Sequence, residues 1–363
     1  MEPAKPGYGT AMPVGTDGVR QIAFGGGADG VAAFMGSAGI TADQHLTVAN
    51  VKSGALIGRV TLPNDEPVSG IAVAPGGRFA AVHVSAPGSG DVVLYEVATK
   101  QSYRHTPYSR KGAIFNPDLV FVGFVDPDRL LTAHEASGFD VWQLPAMTRL
   151  CGLPGRGMDA APRLERNHFS RRCKNAALSP DGKTFALFDA GGFSFHDTTT
   201  AERTAKTPPF IAGRSANFWA AAFSPDGKRF AATTSYFTPE QVTSLQLWDV
   251  ASGKRVSAVP VEVLKTGTAM AFWGPDHVIV SQGGFGWADV MAIATGEIVA
   301  KVDAQTGGSA QMIAPDAPGG ALWYTFDNKF LRNESTTLGS VPPPGAVLPG
   351  RTLDLTRDGP RWK

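Results

Sequence analysis

Two twelve-residue segments of this chain, Ala176 to Leu187 (AALSPDGKTFAL) and Ala221 to Ala232 (AAFSPDGKRFAA), are near-copies whose Ser-Pro-Asp-Gly-Lys core recurs 45 residues apart. A repeat at such a period restricts the chain to architectures that stack one supersecondary unit many times. Weaker copies begin at Ile22 (IAFGGGADGVAAF), Ile71 (IAVAPGGRFAAV), Val122 (VGFVDPDRLLTA), Ala269 (AMAFWGPDHVIV) and Gln311 (QMIAPDAPGGALWY), which makes seven units. In each an apolar strand runs into a turn. Proline presets φ there, aspartate bonds nearby main chain, and glycine accepts dihedrals closed to other residues. A second strand then leaves the turn.

After a variable gap comes a third strand that also ends in a turn. It is clearest at Leu245 to Gly253 (LQLWDVASG), with relatives at Leu46 (LTVANVKSG), Val92 (VVLYEVATK), Phe139 (FDVWQLPAM), Phe193 (FSFHDTTTA) and Val290 (VMAIATGE). A weaker fourth strand follows each. The alternation in LQLWDV is the period-2 signal of a half-buried strand. One four-stranded sheet cannot bury both its faces, but seven such sheets around an axis can. The expected fold class is therefore all-β, a single closed β-propeller of seven four-stranded blades, with six or eight also compatible. Residues 1–18 read as an N-terminal extension that could supply a closing strand, 19–355 as the propeller, and 356–363 as a C-terminal tail. An open seam would expose a sheet edge, so a strand from the N-terminal segment or from Thr352 to Leu355 is expected to join the opposite end of the chain.

The SPDGK turn, a strand and then LWDVASGK, over Ser224 to Lys254, resemble WD40 repeats. The resemblance extends from about Val19 to Leu355 and implies a seven-bladed propeller acting as an interaction platform. Only the units containing Ser179 and Ser224 match closely. The Gly-His dipeptide common in WD40 repeats is absent, and Trp248-Asp249 is the one literal Trp-Asp pair. The hydrogen-bonded tetrad of that family is therefore not carried over, and rigidity is expected from packing.

Composition agrees with many short strands and tight turns. Apolar residues are 43% of the 363, charged residues 18%, and the 43 glycines and 27 prolines are spread between apolar runs. A net charge of +1 provides no long-range field toward nucleic acid or an anionic membrane, so neither is an expected partner. No apolar run is long enough to span a bilayer. Met1 to Tyr8 (MEPAKPGY) lacks the basic and apolar regions of a secretory leader. Cytoplasmic residence is the reading of the chain as written, and an extracytoplasmic one if a leader has been removed. Cys151 and Cys173 flank an irregular segment that one disulfide could staple, two buried thiols being the alternative.

Signatures of chemistry are missing. There is no GxSxG elbow, no HExxH, and no dinucleotide or Walker glycine loop. Gly25-Gly26-Gly27 falls on the repeat's turn, with no helix pattern after it. Asp181, Asp226 and Asp276 recur with the repeat and read as turn residues, and Asp126-Pro127-Asp128 supplies too few carboxylates for calcium. Of the histidines His45, His83, His105, His134, His168, His196 and His277, His196 takes the place of Trp248 in its strand and reads as packed. His83 and His134 are placed just past the second strands of successive units, where they could face one mouth. No catalytic residue, metal site or cofactor is assigned.

The tight turns all belong to one end of the propeller, so the long connections gather at the other. One of them, Gly152 to Lys174, concentrates Arg156, Arg163, Arg166, Arg171, Arg172 and Lys174 against Asp159 and Glu165. Tyr108 and Arg110 lie in the preceding connection. Tyr236 and Phe237 fall in one loop, Phe285 and Trp287 in the equivalent loop of the next unit, and Trp219 near them. Exposed aromatics of this kind act as anchors in interfaces, whereas covered ones cap their own blades. The candidate binding residues are thus Arg171, Arg172, Tyr236, Phe237, Phe285, Trp287, Tyr108 and Arg110. The function they suggest is a non-catalytic scaffold for a protein or peptide, with the chain a monomer or part of a larger assembly. The alternative is an enzyme or small-ligand sensor using the central funnel, as in lactonase-like or cofactor-binding propellers.

Overall fold

The computed structural model describes residues 18–25, 30–37, 44–50, 55–62, 68–86, 89–107, 119–134, 138–153, 176–189, 192–208, 216–236, 243–261, 267–282, 287–303, 309–316, 321–327, 337–341, 352–356 and 359–362. All regular structure among them is β apart from one 3-10 turn at Pro75–Gly77. The strands form seven antiparallel sheets, six of four strands and a seventh of five.

Sheet one holds β1 (Gly18–Phe24), β2 (Val31–Ser37), β3 (Gln44–Asn50) and β4 (Ala55–Leu62). Sheet two holds β5 (Val68–Val73), β6 (Phe79–Ala86), β7 (Ser89–Glu96) and β8 (Gln101–His105). Sheet three is β9 (Leu119–Asp126), β10 (Arg129–His134), β11 (Gly138–Gln143) and β12 (Thr148–Leu153). Sheet four is β13 (Ala176–Leu178), β14 (Thr184–Asp189), β15 (Gly192–Asp197) and β16 (Arg203–Lys206). Sheet five is β17 (Ala216–Phe223), β18 (Arg229–Tyr236), β19 (Thr243–Asp249) and β20 (Arg255–Pro260). Sheet six is β21 (Gly267–Trp273), β22 (His277–Gln282), β23 (Trp287–Ala292) and β24 (Ile298–Asp303). Sheet seven is β25 (Ser309–Asp316), β26 (Ala321–Asp327), β27 (Thr337–Val341), β28 (Thr352–Thr356) and β29 (Gly359–Trp362).

Each sheet pairs its strands in chain order, and each first strand lies beside the first strand of the next sheet, with β1 beside β25. The first strands thus form the inner ring. Among the described residues no strand closes the ring, and the N-terminal candidate for one, residues 1–17, lies outside them. β28 pairs with β27 and β29 of its own sheet, β1 pairs only with β2, and no ladder joins the two ends.

The SPDG turns explain why the repeat is written as it is. In sheet five the Ser224 hydroxyl, buried, donates to Asp226 Oδ1 at 2.6 Å and accepts the Arg229 main-chain N–H at 2.9 Å, while Lys228 N–H reaches the same carboxylate at 3.1 Å. Ser179, Asp181 and Thr184 repeat this in sheet four at 2.7 and 2.9 Å. Ser224→Ala leaves the Arg229 amide without its side-chain acceptor at the partly buried base of the turn. It is expected to lower stability by about 1–3 kcal/mol in urea unfolding.

Both faces of a middle sheet are buried, which the alternation in LQLWDV did not indicate. Leu245 and Leu247 enter the core shared with sheet six, while Trp248 on the other face enters the core shared with sheet four. There Phe193 stands 4.7 Å from Phe230 and 6.1 Å from Trp248, ring centre to ring centre.

In five of the seven sheets the fourth strand is irregular at one repeated place. Opposite the Trp248 position the pairing slips by a residue, leaving Ile57, Leu150, Thr204, Val256 and Val299 in bulges. Four of these are exposed aliphatics. A bulge twists a strand and spoils it as a template for another edge, which is what the outer strand of a sheet requires.

Candidate functional site

Strand direction separates two ends of the molecule. First-to-second and third-to-fourth turns lie at one, second-to-third and sheet-to-sheet connections at the other. At the turn end the carboxylates are engaged in local bonding. The Ser252 hydroxyl holds the Asp249 carboxyl below its usual range, the Ser224 hydroxyl does so for Asp226, and the Thr200 main-chain N–H for Asp197. Carboxylates fixed this way organise turns and are poor proton-transfer groups near neutral pH.

At the opposite end, Tyr236 is the last residue of β18 and Trp287 the first of β23. The backbone therefore brings these two to the same end of adjacent sheets five and six. Trp219 lies in the inner strand β17, at a shift in its pairing with β18. Phe237, Phe285, Tyr108, Arg110, Arg171, Arg172 and Cys173 lie outside the described residues. Cys151, in β12, is a partly buried free thiol whose Sγ lies 3.5 Å from the Thr198 carbonyl oxygen, and burial pushes its pKa up.

Under this end lies a layer of buried polar side chains. In sheet two Asp91 accepts from Thr106 Oγ1 at 2.8 Å and from Arg104 at 3.3 Å. In sheet three Arg149 Nε donates to Asp140 at 2.6 Å, and the Trp142 indole N–H donates to Thr132 at 2.8 Å. In sheet five Gln246 Nε2 donates to Thr234 at 3.0 Å and to Ser244 at 3.2 Å, with the two hydroxyls 3.0 Å apart. Asp289 in sheet six is fully buried at the position matching Gln246 and Asp140. Hydrogen bonds of this kind between strands hold the strand ends in a fixed register and make a rigid base for the connections above.

His83 and His134 are inside β6 and β10 rather than beyond them, and both are buried. Register sets their directions. Ala80 pairs with Tyr95 and Leu130 with Trp142, which makes Ala80 and Leu130 equivalent and offsets the two histidines by one residue. They therefore stand on opposite faces of their own sheets. His83 shares its face with Phe79 and Ala81, and His134 with Leu130, and all three neighbours belong to the core between sheets two and three. The histidines are enclosed between two sheets instead of opening on a common mouth. His196 is packed, as its place in the repeat indicated, with Nε2 2.9 Å from Ser194 Oγ and its ring edge against Phe139. Among the described residues no group of three His, Cys, Asp or Glu side chains is arranged to hold a metal ion.

Seven antiparallel four- or five-stranded sheets around a ring of first strands invite comparison with solved propellers. The chain superposes on the C-terminal WD40 domain of Sif2 with a TM-score of 0.56 at 12% identity, covering 91% of this chain and 82% of that one. The fold is a WD40-like β-propeller. The β-propeller domain of Cps50 (Swd1) from Myceliophteria thermophila matches with a TM-score of 0.58 at 10% identity over 90% of this chain and 97% of that one. No family model and no curated protein matches the chain. Among the described residues of this WD40-like propeller, no helix is long and apolar enough to cross a membrane.

The polar layer was not foreseen from sequence. Its one signal is the position itself: Gln246, Asp140 and Asp289 stand two residues before the Trp248 position of the propeller's third strand, on the face that Trp248 buries.

Proposed function

We propose that this propeller is a non-catalytic interaction module that docks a protein or peptide on the end bearing its long connections. The observation that carries this reading is the placement of Tyr236 and Trp287 at that end of adjacent sheets, above a polar layer that fixes the strand ends. Aromatic residues on a rigid base are the usual anchors of an interface, since little side-chain freedom remains to be lost on binding. The opposite end offers short turns whose polar groups already bond one another. The similarity to WD40 and other β-propeller domains supports a scaffold role in general terms. Arg171, Arg172, Tyr108 and Arg110 would add basic and aromatic contacts for an acidic partner segment.

The test compares two faces of one protein. A photo-crosslinking residue is placed at Tyr236 or Trp287, and in a matched pair at Ser252 or Pro225. The expected result is one partner crosslinked from both loop-end positions and from neither turn-end position. The double variant Tyr236→Ala/Trp287→Ala should then weaken that complex by about tenfold or more, as loss of an anchor residue does. Crosslinking from the turn end alone, or turnover of a small ligand that survives the double variant, would overturn the reading.

A further inference from the structure

Three of the chain's seven histidines face one boundary. On sheet two, His83 pairs with Val92 and Val92 with His105, so both histidines share the face that Val92 and Leu94 turn toward sheet three. On sheet three, His134 lies on the face of Leu130 and Trp142, which looks back at sheet two. The His105 ring sits edge-on to the Trp142 indole, centroids 4.9 Å apart, and covers the rim of the apolar core there. Its Nε2 is buried and has no hydrogen-bond partner among the described residues. His83 Nδ1 is 2.6 Å from Ser69 Oγ.

Among the described residues the charges around this layer are few. Asp140 on β11 and Arg149 on β12 lie on the same side but close on each other as an ion pair at 2.6 Å. Asp91 on β7 and Arg104 on β8 belong to the opposite face of sheet two, joined at 3.3 Å, with Thr106 also on the carboxylate. β6 and β10 contribute His83 and His134 themselves, and Trp142 and Thr132 are neutral. A proton on His105 would place a charge and an unsatisfied N–H in a buried position.

We propose that the boundary between sheets two and three is a proton-sensitive joint, closed at neutral pH and loosened on acidification, with His105 as its trigger. Neutral His105 lies over Trp142 and seals the core. Protonated His105 is driven to water, which uncovers Trp142 and releases the end of β8. Burial holds the His105 pKa below its ordinary value, outweighing the opposite pull of Asp91. In the loosened form the ring returns to about 6.5, so the open form binds the proton more tightly. Closure is therefore complete above about pH 6.5 and is lost as pH falls through the lower, folded value. The joint is independent of what the propeller binds.

Hydrogen–deuterium exchange of the full chain, corrected for intrinsic rates, tests this. Between about pH 7.5 and 5.5, exchange in β8, β10 and β11 should rise by up to about tenfold per pH unit for each linked proton, while β18 and β19 stay level. His105→Phe keeps an aromatic edge for Trp142 and should flatten the response, whereas His277→Asn, at a turn on another sheet, should leave it intact. Should the phenylalanine variant fail to fold, NMR titration of the His105 ring in the native chain replaces it, with a midpoint below 6.5 expected. A uniform response across all boundaries, a full response in His105→Phe, or a His105 midpoint at or above the ordinary value would overturn the proposal.

Discussion

Trp248→Ala is expected to lower the unfolding free energy by about 3–5 kcal/mol, measured as a shift in the urea midpoint at unchanged slope. The indole is fully buried at the boundary of sheets four and five, among Phe193, Phe195, Phe223 and Phe230. Phe230 is the hub of this cluster, with ring centres of Phe193, Phe223 and Phe195 at 4.7, 4.8 and 5.4 Å. Truncating Trp248 leaves a void that four rings cannot fill without leaving their rotamers, so the cavity cost adds to the lost burial. Val256→Ala, in the neighbouring strand but 61% exposed, should change stability by only about 0.5 kcal/mol or less. If the two substitutions cost the same, the core assignment at this boundary is wrong.

The two SPDG turns, identical in sequence, should respond differently to the same change. Gly182 and Gly227 have φ of +71° and +69°, where an alanine is strained by about 1–2 kcal/mol. At Gly227 a new methyl meets nothing closer than Ser179 Cβ at 3.9 Å, so strain is the whole cost. At Gly182 it runs into the main-chain carbonyl of Val125 on sheet three, and backbone cannot swing aside as a side chain can. Gly182→Ala is therefore expected to lose about 2–4 kcal/mol in total, strain plus overpacking, against about 1–2 kcal/mol for Gly227→Ala. Equal losses in thermal unfolding would mean that sheets three and four do not meet at this turn.

Much of the architecture was legible because the repeat is written in turn chemistry. Ser179 and Ser224 each bond an aspartate two residues on and an amide five residues on, a local device that leaves a local signature. The first and third strands follow from those turns by position. Burial was less legible. Gln246 alternates with leucines and reads as solvent-facing, yet it lies between two sheets and bonds Thr234 and Ser244. A sandwiched sheet has no outer face, so polarity there marks a hydrogen-bond network. The Trp142 to Thr132 bond leaves no sequence signal for a related reason, since a threonine in LLTAH resembles any β-branched strand residue. His83 and His134 could face one mouth by sequence position, which alone does not fix the face that a strand residue occupies. A one-residue offset in register decided it. For the binding end, sequence supplied candidates, and the backbone brings two of them, Tyr236 and Trp287, to one end of adjacent sheets.

Among the described residues every sheet of this ring is drawn from one stretch of chain, and no ladder of backbone bonds crosses from sheet seven to sheet one. Topologically the molecule is a string of beads curled until its ends touch, without a clasp. Such a string can grow or shrink by whole beads through gene duplication or loss, because no bead depends on both termini for its completion. The place where the string begins is then a matter of ancestry: moving the start to another junction would leave every hydrogen-bonded unit whole.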